Sequence, residues 1–307
     1  MQTIYLTHAS SLKHEMGADH PECPARVSVI EDQLIASGLL PFLACEQAPQ
    51  VTMEQLLRVH SQEYVEFVVA QAPQASLVYL DGDTAMNSHS LEAALFAAGA
   101  GVKAVDMLMK GEVENAFCNI RPPGHHAGRA GAAGFCIFNN VAVAAAHALE
   151  QYGLERVAIA DFDVHHGDGT ENIFHNDKRV MLCSTFRHPY YPYSGADSGN
   201  EHIINVPLAA GACGEDFQAA VKEKWLPALE SFKPQMLFIS AGFDAHREDD
   251  MGGLALREAD YAWVTEVLKK LASCHAGGRI VSVLEGGYAL PALARSATAH
   301  IKVLSGL

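Results

Sequence analysis

The stretch "IADFDVHHGDGTENIF", residues 159–174, gathers Asp161, Asp163, His165, His166 and Asp168 directly behind apolar residues that read as a buried strand. In an extended segment side chains two apart share a face, so Asp161, Asp163 and His165 project together while Phe162 and Val164 pack the other way. An Asp-x-His pair so placed is a clamp for a divalent cation. Asp244, at the end of another apolar run, would complete a set of two carboxylates and one imidazole with an open position, the pattern of a catalytic rather than a structural zinc site. No Lys or Arg lies within the run from Asp161 to Asp168 to neutralise its acids, so a cation is the natural counter-charge.

Two further clusters carry proton chemistry. "GHHAG", residues 124–128, places His125 and His126 in a Gly-rich loop after a double proline, and imidazole is the side chain best suited to proton transfer near neutral pH. Each imidazole needs a carboxylate to fix its tautomer. Asp161 and Asp168 remain for that task once Asp163 takes the metal. "EGGY", residues 285–288, puts Tyr288 behind two glycines, where a phenol can donate to an oxygen that is gaining negative charge. Phe135 in "GFC" and the aromatics of "YYPYSG", residues 190–195, read equally well as the walls of a narrow channel or as loop anchors.

Positioning such groups requires a scaffold. Short apolar runs read as buried strands: "TIYLTH" at the start, "NAFCNI" (115–120), "RVAIADFDV" (156–164), "RVMLCSTF" (179–186), "MLFISAGFD" (236–244) and "RIVSVLEGG" (279–287). Between them "SLEAALFAAGAGVKAVDMLMKG", "NVAVAAAHALEQYG", "FQAAVKEKWLPALESF" and "READYAWVTEVLKKLASC" carry helical periodicity. Strands alternating with helices imply βαβ units, hence an α/β fold with an open parallel sheet covered by helices on both faces. Ligands bind such sheets at the carboxyl ends of the strands, and all four clusters fall there. No low-complexity segment, internal repeat or Pro/Gly/Ser linker divides the chain, so residues 1–307 read as a single domain.

Composition narrows the class. With 21 Lys and Arg against 36 Asp and Glu, the net charge of −15 repels nucleic acid and anionic membrane and favours cationic ligands. The seven cysteines are scattered, odd in number and free of any CxxC spacing, which argues for reduced thiols and against a disulfide framework. "MQTIYLTHAS" has no basic segment followed by an apolar one, and no run approaches the ~18 apolar residues of a membrane span. The expectation is a soluble cytoplasmic protein with neither nucleic-acid nor membrane partners.

Taken in order, "RPPGHHAGRAGAAGFCIFNN", "DFDVHHGDGT", "SAGFDAH" and "LEGGY" resemble the zinc-dependent histone deacetylase family, including its bacterial class II-like members and the acetylpolyamine amidohydrolases. The likeness runs from "HPECPARV", residues 20–27, through the last strand. It implies an arginase-like open sheet of about eight parallel strands and hydrolysis of N-acetylated amines. By this resemblance the zinc ligands are Asp163, His165 and Asp244, the tandem histidines are His125 and His126, and their carboxylate partners are Asp161 and Asp168. Tyr288 falls on the carbonyl-polarising tyrosine, Gly134 on the glycine that accepts the substrate amide proton, and Phe135 and Tyr191 on the tunnel walls. Arg26 falls on an arginine deep beneath the zinc. Asp83, or Asp81 two residues earlier in "LDGDT", falls on a rim aspartate that grips the substrate. A structural potassium ion would sit with Asp161, Asp163, His165, Ser184 and Thr185.

The mechanism so implied uses zinc to acidify a water and polarise the acetamide, His126 to take and return the proton, His125 as an electrostatic partner, and Tyr288 to hold the oxyanion. Oxygen and nitrogen ligands discriminate weakly among divalent ions, so Fe2+ or Co2+ could substitute for Zn2+. Asp168 stands where many class II members have asparagine and should make His126 more basic, and Tyr191 replaces a common phenylalanine. The chain has little room for the long insertion that acetylpolyamine amidohydrolases use to narrow their entrance. Acetyl-lysine in proteins or peptides is therefore expected ahead of acetylated polyamines, with longer acyl groups as a further alternative. A ureohydrolase of the same fold would need a second metal, and an inactive acyl-lysine binding module would not need the full set of proton-transfer groups.

Overall fold

The structure, a computed structural model, describes residues 2–307. Its strands are β1 (Thr3–Thr7), β2 (Ala44–Gln47), β3 (Val78–Tyr79), β4 (Ala85–Met86), β5 (Asn115–Cys118), β6 (Val157–Asp161), β7 (Val180–Arg187), β8 (Ile203–Leu208), β9 (Met236–Ala241) and β10 (Ile280–Leu284). All but β3 and β4 form one sheet in the order β2-β1-β5-β10-β9-β6-β7-β8, and every neighbouring pair in it is parallel. The helices are α1 (Ala25–Ala36), α2 (Met53–Leu57), α3 (Gln62–Gln71), α4 (Ser90–Met109), α5 (Asn140–Tyr152), α6 (Asp168–Phe174), α7 (Gly214–Ala220), α8 (Leu226–Phe232), α9 (Glu258–His275) and α10 (Leu290–Ser305).

Alternate residues of each central strand enter two separate apolar cores. Ile159, Leu182, Phe238 and Val283 pack with α4 and α5, whereas Ala158, Cys183, Leu237 and Leu284 pack with α1, α9 and α10. A strand covered on both faces must be apolar at nearly every position, which is why these segments read as continuous runs. The expected open parallel sheet with helices on both faces is what the chain forms. β2 and β8 are strands that the sequence pattern does not reveal. Both are edges, where one side of the ladder is open; the residues of β2 are mostly exposed and those of β8 mostly half-buried, with Pro207 inside β8.

The run "FQAAVKEKWLPALESF" is helical but not uniform. A π turn at Val221–Trp225 joins α7 to α8. Pro227 has no N–H to offer the preceding turn, so the ladder widens there instead of breaking.

The topology brings the four clusters together. β5, β10, β9 and β6 are consecutive in the sheet, and they lead into the segments bearing His125 and His126, Tyr288, Asp244, and Asp163 and His165 respectively. Residues as far apart in sequence as His125 and Tyr288, 163 positions, thus come together above four adjacent strand ends.

Candidate active site

β6 ends at Asp161, yet the alternation persists beyond it: Phe162 and Val164 enter the α9-side core while Asp161, Asp163 and His165 turn the other way. Asp163, His165 and Asp244 are buried, and one ligating atom from each lies within 4.8 Å of the others. Nδ1 of His165 is 3.1 Å from Asp163 Oδ1 and 3.3 Å from Asp244 Oδ2. Backbone donors fix the carboxylates: Gly286 N–H gives to Asp163 Oδ2 at 2.8 Å, and Val164 N–H gives to Asp244 Oδ1 at 2.9 Å. Gly286 has to be glycine at this spot, because a Cβ would stand 2.1 Å from Asp244 Oδ2 and 2.6 Å from Asp163 Oδ2.

The electrostatics fit a divalent cation. Burial, helped by the charge of Asp163, pushes the Asp244 carboxyl up to about 6. Burial opposes the charge on His165 as well, but hydrogen bonds and attraction from Asp163 and Asp244 overcome it and raise the imidazole to about 10. Asp244 Oδ2 is buried with no hydrogen-bond donor, and the ion pairs of Asp163 and Asp244 among the described residues are with histidines only. An unpartnered carboxylate oxygen of this kind is costly unless a cation completes it.

Beside the triad stand two imidazoles, each backed by its own carboxylate. His125 Nδ1 is 2.9 Å from Asp161 Oδ2, and His126 Nδ1 is 2.7 Å from Asp168 Oδ1, with the two rings 4.0 Å apart. Their environments differ. Burial works against a charge on His125, but Asp161 and Asp163 hold it well above the ordinary imidazole range. For His126, burial and then the neighbouring His125 charge prevail, and its pKa falls to about 4 although Asp168 pulls upward. His126 is thus neutral at pH 7, with Nδ1 donating to Asp168 and Nε2 free to accept a proton.

A cavity of about 200 Å³ opens onto these groups, lined by Asp83, His126, Gly134, Phe135, His165, Tyr190, Tyr191, Met251 and Tyr288. Gly134 has φ 54°, and a Cβ there would lie 2.4 Å from Cδ2 of His126 and 3.1 Å from the Tyr191 hydroxyl. Asp83 Oδ1 accepts the Gly134 N–H at 3.0 Å, which separates it from Asp81, whose carboxylate closes the turn by accepting the N–H groups of Asp83 and Thr84. Phe135 meets Tyr288 edge to face at 6.0 Å, and Tyr191 meets His126 at 5.1 Å. Phe135, Tyr191, Gly134, Asp83 and Tyr288 thus converge on one cavity.

Arg26 is placed differently from the other substrate-binding candidates. It is fully buried outside the cavity lining, with its guanidinium 5.0 Å from the Tyr288 ring and ion-paired to Glu22, a carboxylate that also binds Arg121. Asp161, Asp163, His165, Ser184 and Thr185 lie on β6, β7 and the segment after β6, with Asp161 directly opposite Ser184 in the ladder. Ser184 Oγ is also 3.2 Å from His166 Nδ1.

Tyr190, the first aromatic of "YYPYSG", lines the cavity and stacks on His165 at 5.6 Å with Arg187 3.9 Å from its ring. Met251, which also lines the cavity, and two acids escaped the sequence reading. Glu285 Oε2 accepts the N–H groups of Gly124 and His125, and Asp249 Oδ2 accepts those of Tyr288 and Ala289. The signal that could have found both acids is a carboxylate inside a Gly-rich loop after a buried strand, "LEGG" and "REDDMGG". Cys136 is buried beside Phe135, and burial raises its thiol well above the ordinary range, so it is a poor nucleophile.

Residues 20–304 match the family model described as the histone deacetylase domain. The chain belongs to the histone deacetylase family. It is 38% identical over 298 residues to a "Probable deacetylase" of Archaeoglobus fulgidus, covering 94% of this chain and 82% of that protein. It is 38% identical over 333 residues to the Polyamine deacetylase HDAC10 of Mus musculus, covering 100% of this chain but 48% of the mouse protein. The crystal structure of the HDA15 HD domain matches with a TM-score of 0.94 at 38% identity, covering 99% of this chain and 88% of that one. Membership brings hydrolytic deacetylase chemistry with it, and no helix among the described residues is long and apolar enough to cross a membrane.

Proposed function

We propose that the chain is a zinc-dependent amidohydrolase that removes acetyl groups from N-acetylated amines, foremost acetyl-lysine side chains of proteins or peptides. The observation that carries this is that the carboxylate-backed His126 and the phenol of Tyr288 line one cavity together with His165 of the buried Asp163, His165 and Asp244 cluster, with His125 and its partner Asp161 directly behind His126. Zinc held by those three residues would supply an electrophile that polarises the acetyl carbonyl and acidifies an attacking water. His126 Nε2 takes the water proton while Nδ1 stays bonded to Asp168, then delivers that proton to the departing amine. His125, kept protonated by Asp161, contributes positive charge beside the developing anion. Tyr288 donates its hydroxyl hydrogen to the acyl oxygen as charge grows there. Phe135 and Tyr191 flank the aliphatic stem, the Gly134 carbonyl accepts the substrate amide proton, and Asp83 meets the substrate at the rim. A potassium ion with Asp161, Asp163, His165, Ser184 and Thr185 would stiffen the floor. Residues 1–307 would act as one catalytic domain in the cytoplasm.

The lysine preference rests on the length of the chain, 307 residues, which leaves little room for the long insertion that acetylpolyamine amidohydrolases use to narrow their entrance; Asp83 at the rim suits either substrate. Measuring kcat/KM on an acetyl-lysine peptide beside N-acetylputrescine and acetylspermidine, with His126→Ala as the blank, tests it. A peptide preference of about tenfold, ~1.4 kcal/mol of transition-state discrimination, is the expected result. The reverse preference would make the protein a polyamine deacetylase like its mouse relative, and higher turnover of longer acyl-lysines would move the substrate class again.

A further inference from the structure

The phenol of Tyr288 has neither helix nor strand to hold it. It follows Gly286 and Gly287 beyond the end of β10 at Leu284, and Gly287 sits at φ 123°. A backbone of this kind keeps one conformation only when its polar groups are bound elsewhere. Here buried side chains bind them. From below, Arg26 Nε donates to the Gly287 carbonyl at 2.6 Å, and its Nη2 donates to the carbonyl of Glu285. Asp163 accepts the N–H of Gly286. Asp249, 5% exposed, accepts the N–H of Tyr288 itself at 2.6 Å and that of Ala289 at 2.9 Å, both on Oδ2. Its Oδ1 accepts the N–H of Met251 at 3.0 Å, so the same carboxylate also fixes a wall of the cavity.

Three backbone donors on one buried carboxylate make strong, charge-assisted bonds that a loop of this length would not retain by chance. We propose that Asp249 is the positioning residue for Tyr288: it anchors the tyrosine's amide to the segment between β9 and α9, so that the phenol stays aimed into the cavity. The inference rests on the reading of Tyr288 as the donor to the acyl oxygen. Asp249 lies outside the cavity lining, so it reaches the reacting volume only through the groups it anchors, chiefly Tyr288, whose amide and whose neighbour's amide share its Oδ2, and secondly Met251.

A double-mutant cycle tests this on the full, zinc-loaded chain. Asp249→Asn keeps an oxygen for the Tyr288 and Ala289 amides but turns an NH2 group on Met251, whereas Asp249→Ala leaves all three donors unpaired. Alone, Asn should lower kcat modestly and Ala by about 10²-fold, the scale of a misplaced reacting group, with KM nearly unchanged. In a Tyr288→Phe background, either change should alter kcat by no more than about twofold, because the group being positioned is already gone. Affinity for a trifluoromethyl ketone analogue of acetyl-lysine gives a second readout. Asp249→Ala and Tyr288→Phe should each weaken it to a similar extent, and the double variant no further. Additive losses in kcat and analogue affinity would overturn the proposal and leave Asp249 a structural residue. If Asp249→Ala does not fold, the Asn series decides by the same criterion. Wild-type turnover in Tyr288→Phe would instead refute the underlying reading of the tyrosine.

Discussion

Replacing Gly134 by alanine should separate the precision of the site from the stability of the fold. At φ 54° the new Cβ costs about 1 kcal/mol in the left-handed region, wherever in the chain that occurs. The larger effect is local. The Cβ would stand 2.4 Å from His126 Cδ2, whereas ordinary contact begins at 3.4 Å, so the ring must retreat by about 1 Å. It has little freedom to do so, with Asp168 bonded to Nδ1 at 2.7 Å, His125 4.0 Å away on one side and Tyr191 5.1 Å away on another. A displacement of that size in a proton-transfer group lowers kcat/KM by about 10²-fold, close to 2.7 kcal/mol of transition-state stabilisation. Gly111→Ala supplies the control, since Gly111 has φ 72° and open space where its Cβ would go. Thermal melts should fall by a few degrees in both variants, and steady-state assays on an acetyl-lysine peptide should fall only for Gly134→Ala. Retention of kcat/KM within about threefold in Gly134→Ala, or an equal loss in Gly111→Ala, would refute the claim that Gly134 exists to let His126 stand where it does.

Three other outcomes are expected. Stripping divalent ions with a chelator should abolish turnover and lower the melting temperature, and zinc at about 100 times its Kd should restore about 2.7 kcal/mol, an effect absent in Asp244→Ala. Tyr288→Phe should lower kcat by about 10²- to 10³-fold while metal content, measured by elemental analysis, stays at the wild-type level. His60, buried with Nδ1 2.9 Å from the Gly128 carbonyl and Nε2 accepting the Asn139 N–H at 3.0 Å, is held neutral, and burial lowers its pKa from 6.5 to about 4. The unfolded chain therefore binds the proton first, so this histidine's contribution is full above pH 6.5 and is lost as pH falls toward 4; urea unfolding of His60→Gln should lose about 2 kcal/mol less between pH 7 and pH 5 than wild type, and an unchanged difference would sink the assignment.

The legible parts of the fold and the site share a physical cause. β6 and β9 could be read because burial on both faces forces apolar residues at every position, while β2 and β8 at the edges are under no such demand. At the site, His125, His126, Asp163, His165, Asp244 and Tyr288 stand out because few side chains can do their chemistry, and the family resemblance gives each a role. Glu285 and Asp249 do not stand out, because an acid in a loop ordinarily faces water. Only the folded chain shows their oxygens turned inward onto the amides of residues 124, 125, 288 and 289. The resemblance puts Arg26 deep beneath the metal cluster, and in the fold it is buried with its guanidinium 5.0 Å from the Tyr288 ring, outside the cavity lining.

These inward-facing acids bear on what the net charge of −15 means. Loops that follow parallel strands have no ladder partners, so their amides need acceptors from elsewhere. Around this site the acceptors are carboxylates: Glu285 for the tandem-histidine loop, Asp249 for the tyrosine loop, Asp83 for Gly134, Asp163 for Gly286, and Asp161 for Asp163. A neutral acceptor would form weaker bonds, and a Lys or Arg partner would compete with any cation held between Asp163 and Asp244. Much of the negative charge near the cavity is thus a requirement of holding backbone in place next to a metal site, before any question of substrate arises. Any selection for a cationic substrate would then fall to acids facing outward at the rim, and Asp83, part-buried in the cavity wall and accepting from Thr84 and Gly134 on Oδ1, is so placed.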